Sequence, residues 1–134
     1  MVAAVCSWHE RHASVAAEIE RRLGARDRLA IPAHALIEAY AVLTRLPAPH
    51  RLAPADAWAL LDANFVEPAT VVAIEGPAHA ALLARLASAG TGGGRTYDAL
   101  IAEQAAIARA AVLLTLNPRH FEPPPPGVTV IEPR

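Results

Sequence analysis

Lysine is missing from this sequence: all 12 basic residues are arginine. A Walker A phosphate loop and Schiff-base catalysis each need a lysine, so neither chemistry has a candidate here. Cysteine occurs once, at Cys6. That excludes an internal disulfide and a cysteine-ligated metal cluster, and it reads as a small buried thiol in a cytoplasmic protein. A surplus of either charge is also lacking. The net charge of -1 denies the chain the broad positive field of a non-specific DNA coat, so any nucleic-acid contact has to be local. No apolar run approaches the roughly 18 residues of a membrane-crossing helix. The apolar start, Met1 to Val5, has no basic segment of the secretory kind, and no membrane role is expected.

What remains is 134 residues, 54% hydrophobic and 19% charged, enough for one domain spanning 1–134. The HERHASVAAEIERR stretch predicts an amphipathic helix from Glu10 to Arg22, ended by Gly24. Arg28 to Ile31 predicts a short strand stopped by Pro32. Ala33 to Leu46 is apolar on almost every side and predicts a largely buried helix. Pro54 opens a helix to about Phe65, and the β-branched TVVAI from Thr70 to Ile74 predicts a strand. Pro77 opens the next helix, and Gly90 to Gly94 reads as a loop. Thr96 is placed to cap a helix from Tyr97 to about Ala110. Val112 to Asn117 predicts a strand, and four prolines from Pro123 lead stiffly to a last strand, Val128 to Ile131. Strands alternating with helices imply a doubly wound α/β fold with a mainly parallel sheet, whose site lies at the carboxyl ends of its strands.

Three positions fall at that edge. Glu38 sits in the second turn of its helix among apolar neighbours, where a carboxylate loses hydration unless a metal ion or an arginine such as Arg45 compensates. Asp98 lies in a first helical turn, which the helix dipole alone favours by ~0.3–1 kcal/mol and which a metal would equally explain. Thr115 and Asn117 end a strand and point to one side; Asn117 offers an amide oxygen, or simply a turn before Pro118. Hard oxygen donors suit Mg2+ or Mn2+ and not zinc, and the reaction they indicate is phosphodiester hydrolysis by metal-activated water. Weaker signals surround these. HERH spaces its histidines one residue too closely for a zincin and reads as a solvated helix face. His34, His50 and His79 are isolated. Arg21, Arg22, Arg26 and Arg28 read either as a solvated helix end or as a phosphate contact. Trp8 and Trp58 read as core or interface residues.

The segments IPAHALIEAYAVLTRLP and TYDALIAEQAAIARAAVLLTLNPRHF resemble the two middle motifs of PIN-domain ribonucleases of the VapC toxin type. The resemblance runs over nearly the whole chain in the usual order. It implies a PIN-like fold and an RNA endonuclease that uses Mg2+ or Mn2+ held by Glu38 and Asp98, with Asn117 at a position that is often Asp. It also implies a cognate VapB-like antitoxin and a homodimer. Arg95, Thr96, Thr115 and His120 fall beside the matched acids as candidate phosphate or supporting contacts. Proteins of this type open with a strand ending in a metal-binding Asp. Here VAAVCSWHERH resembles the helix that follows that strand, so the first strand is expected to lie upstream of Met1. The competing reading is an impaired PIN-like module that binds antitoxin or RNA without cutting. A Mg2+-dependent phosphatase would need an Asp nucleophile at a strand end, and no strand supplies one.

Overall fold

The computed structural model describes residues 1–134 as two compact units, Met1–Val71 with Pro133–Arg134, and Val72–Glu132. No helix is long and apolar enough to cross a membrane.

The first unit holds α1 (Val2–Val5), α2 (His12–Gly24), β1 (Leu29–Pro32), α3 (Ala33–Arg45), α4 (Pro54–Leu61), a π-helical turn (Asp62–Val66) and β2 (Ala69–Val72). Its core gathers Cys6, Ile31, Ala39, Leu43, Ala57, Leu61 and Phe65, with Leu29, Leu36 and Leu52 packed around it. Pro54 stands at the start of α4, where its missing N–H costs nothing and its fixed φ suits a helix. Strand β1 hydrogen-bonds β2 in a two-stranded sheet.

Helix α2 starts at His12, not Glu10, because His9 to Arg11 form turns. Its other end falls at Gly24 as expected, although a different residue turns the chain. Gly24 is the last helical residue, and Arg26 takes the left-handed position at φ 68. The Asp27 N–H donates to the Arg22 carbonyl and the Arg26 N–H to the Leu23 carbonyl, both at 3.0 Å, the paired bonds of a Schellman cap. On the same end Glu18 accepts two hydrogen bonds from Arg21, at 2.9 and 2.8 Å, and one from Arg22 at 2.7 Å. The Arg21 bonds hold the Glu18 carboxyl down at about 2, helped by Arg22 against a smaller opposing effect of burial.

The second unit holds α5 (Gly76–Ser88), α6 (Arg95–Ile107), β3 (Val112–Leu114), a 3-10 turn (Pro118–Phe121) and β4 (Thr129–Ile131). Strands β3 and β4 are parallel, with Val112 facing Thr129 and Leu114 facing Ile131. Gln104 is a buried polar side chain, 3% exposed. Its amide Nε2 donates to the Val72 carbonyl at 3.0 Å, while Oε1 has no partner. Both helices end in the same cap as α2, with Gly90 at φ 67 after α5 and Arg109 at φ 50 after α6. The mixture of helices and parallel strands is the expected α/β class.

Three stability predictions follow from these contacts. Leu43→Ala empties a site of 0% exposure and should cost about 2–5 kcal/mol, read from urea unfolding midpoints. Arg26→Gly relieves a left-handed side-chain penalty and should gain about 1 kcal/mol by the same measurement; a loss would show that Arg26 makes a stabilising contact. Glu18 has a depressed pKa, so its pairing stabilises above its ordinary value near 4.5 and is lost as pH falls towards about 2. The stability gap between parent and Glu18→Gln should therefore narrow between pH 5 and pH 2.

Candidate functional site

Helix α3 presents one face to the core. Ala39 and Leu43, four residues apart, are its buried residues, and this i, i+4 stripe turns the residues between them outward. Glu38 is therefore exposed, and beside it Ile37 is 69% exposed and Tyr40 lies at the surface. The expectation of a largely buried helix is corrected on this point: apolar composition all round does not bury a helix that packs along one stripe. Glu38 makes no hydrogen bond or ion pair with Arg45 or any other residue. It does act electrostatically on the amino group of Met1. Burial pushes that group below its ordinary value, and Cys6 and Glu38 oppose the shift.

The other candidates lie in the second unit. Asp98 is in the first turn of α6, and that helix begins at Arg95 after Gly94, with no side-chain cap. Thr96 is thus inside the helix, not its cap, and its N–H donates to the Gly93 carbonyl at 3.1 Å. The turn 118–121 packs on α6 and brings His120 Nδ1 to 3.4 Å from Asp98 Oδ2. This contact becomes an ion pair when the imidazole is protonated. His120 stays accessible at the surface while the Asp98 carboxylate is mostly covered.

Strand β3 stops at Leu114, so Thr115 and Asn117 lie beyond it, in the loop, and not at the end of a longer strand. The Thr115 N–H still donates to the Ile131 carbonyl at 3.0 Å. Its hydroxyl then accepts the Asn117 N–H at 3.1 Å, and the Asn117 carbonyl accepts the His120 N–H at 3.0 Å. A chain of short bonds thus runs from the sheet through Asn117 to the histidine beside Asp98. Asn117 spends only backbone groups on it, which leaves its exposed side-chain amide free to take a ligand. Arg95 is exposed at the start of α6 and makes no hydrogen bond or ion pair. A cleft of about 390 Å3, lined mainly by apolar residues such as Phe121, Val128 and Val130 but also by Glu122 and Thr129, includes none of the candidate site residues.

No three His, Cys, Asp or Glu side chains form a group that could hold a metal. At the positions the motifs single out, the oxygen donors are the Asp98 carboxylate and the Asn117 amide on the second unit and the Glu38 carboxylate on the first. Magnesium keeps several of its waters and takes as few as one or two carboxylates, so this donor chemistry fits it.

The PIN domain family model matches residues 1–123. The chain is a PIN domain of the VapC family. Ribonuclease VapC40 of Mycobacterium tuberculosis, from strains CDC 1551 / Oshkosh and ATCC 25618 / H37Rv, is 36% identical over 122 residues, covering 91% of this chain and 84% of the relative. Ribonuclease VapC27 of strain H37Rv is 42% identical over 102 residues, covering 76% of this chain and 69% of the relative. No solved structure matches. Sequence reasoning about this PIN domain named His120 only for its neighbourhood and missed two other features: the buried amide of Gln104, and the stacking of Trp8 on His50. Neither has a local signal, because each partner lies more than 30 residues away along the chain.

Proposed function

We propose that this PIN domain is a Mg2+- or Mn2+-dependent endoribonuclease, the toxin of a toxin–antitoxin pair, working in the cytoplasm as a homodimer and held inactive by a VapB-like antitoxin. The observation that carries the reading is similarity across 91% of the chain to a protein named a ribonuclease. The contact of His120 with Asp98 in the first turn of α6 supports it.

The candidate ligands for the ion are Asp98 and the Asn117 amide oxygen on the second unit and, on the first, Glu38. When bound, such an ion activates water for attack on a phosphodiester and offsets the charge growing on the phosphoryl oxygens. The chain's own groups have separate tasks. The first turn of α6 favours a negative charge at the position Asp98 occupies. His120 braces that carboxylate through the oxygen it faces. The exposed guanidinium of Arg95 is placed to take a substrate phosphate through two N–H groups, and the Thr115 hydroxyl fixes the backbone from which Asn117 projects.

A second reading is favoured by the exposure and isolation of Glu38: a PIN-like module that grips RNA or antitoxin without cutting. One assay separates them. Purified protein incubated with mixed RNA and Mn2+ should cleave, and EDTA should stop it. Asp98→Ala should lower the rate by roughly a hundredfold or more, and His120→Ala by about tenfold, the scale of losing a group that orients a ligand. Equal cleavage by the parent and Asp98→Ala would remove Asp98 from the mechanism, and no cleavage by either protein would favour the binding module.

A further inference from the structure

We propose that Trp8 and His50 form a stacking platform for a base of single-stranded RNA, with Arg51 holding the adjoining phosphate. The proposal rests on the ribonuclease reading and adds to it a contact on the first unit, built from residues outside the candidate metal site.

The two rings are stacked, with centroids 4.2 Å apart and planes at 29°. His9 adds a tilted ring 6.0 Å from the indole. A stack of this kind inside a core would be a packing feature, yet Trp8 is 46% exposed. The platform is also held in place. The His50 N–H donates to the Pro47 carbonyl at 3.0 Å, and the Leu52 N–H to the carbonyl of the fully buried Leu43 at 3.1 Å. The loop that carries His50 is thereby anchored to the end of α3. On the other side, His9 Nδ1 accepts the Arg11 N–H at 3.1 Å. A preset aromatic surface takes a base with little ordering cost, and stacking tolerates any sequence because every base has a π-face.

Charge selects the occupant. Arg51 donates through Nε to the Leu46 carbonyl at 2.8 Å, which fixes its guanidinium at the end of α3. Its remaining N–H groups make no other hydrogen bond or ion pair. No acidic residue occurs from Arg45 to Leu52, and Glu10 is the one acid from Cys6 to Ser14, so the segment that carries His50 bears the two charges of Arg45 and Arg51 and no acid. In a chain of net charge -1 this is a locally basic segment whose histidine stacks on an exposed indole. That combination suits a flexible polyanion with flat bases, and an apolar protein partner would leave the Arg51 guanidinium without a counter-charge.

The test measures binding of a fluorescein-labelled single-stranded oligoribonucleotide by anisotropy, with EDTA present to halt cleavage. Trp8→Ala should weaken binding by about 5- to 150-fold, and Trp8→Phe should keep most of it. Arg51→Gln should lower the slope of log affinity against log salt by roughly 0.7, the value for one phosphate contact on a single strand. The chain has two tryptophans, so in a Trp58→Phe protein the emission reports Trp8 alone. Its quenching by the same oligonucleotide tests the contact without disturbing the stack. Parent-like affinity in Trp8→Ala, with or without a lower melting temperature, would make the stack a structural brace and overturn the proposal. So would unchanged Trp8 emission on RNA binding. Failure of the parent protein to bind any RNA would instead sink the ribonuclease reading itself.

Discussion

Leu43 is wholly enclosed, and the zero exposure of Ala57 and near-zero exposure of Leu61 place the crossing of α3 and α4 around it. A small residue at Ala57 lets the two helices approach closely, and close approach is what fills the space about Leu43 without voids. Much of the first unit is set by this contact. With Leu43 and Ala39 turned inward, helical periodicity leaves Ile37, Glu38 and Tyr40 no choice but the outer side. The carbonyl of Leu43 also anchors the loop that presents His50 to Trp8. A packing constraint therefore decides where a carboxylate and an aromatic surface appear.

In the second unit the comparable constraint is the docking of the turn 118–121 onto α6. Asp98 has a local reason for its position, since a first helical turn favours a carboxylate. His120 has none of its own. It reaches Asp98 because Thr115, Asn117 and the parallel pairing of β3 with β4 hand the chain across in a fixed geometry. The short strand β3 leaves the polar groups after it in a loop, where their side chains are accessible. That placement supports the nuclease reading better than a strand-end position would, because a loop amide can turn towards an ion while its backbone stays bonded.

Sequence pattern located nearly every element, and the misses share one cause. The strand from Val112 was read three residues too long because TLN continues an apolar alternation, whereas the ladder partner β4 ends at Ile131 and pairing stops with it. Gly24 does end α2, and the left-handed turn after it falls to Arg26, since the cap depends on which carbonyls the next residues can reach. Trp8 and Trp58 read as core or interface residues by their apolar company, and their half exposure rules out the core alternative alone.

From the sequence alone came the α/β class, the family motifs around Glu38, Asp98 and Asn117, and the exclusion of lysine-dependent catalysis, an internal disulfide and a cysteine-ligated metal cluster. These follow from residue identity and from local period, which short-range sterics and hydrogen bonding impose. Tertiary structure decided the exposure of Glu38, the contact of His120 with Asp98, the orphaned amide of Gln104 and the Trp8–His50 stack. Each depends on which face of an element is buried or on residues distant in the chain coming together, and neither is encoded in any local window: burial direction is chosen by the best-packed stripe, and long-range contacts by the closure of the core around it.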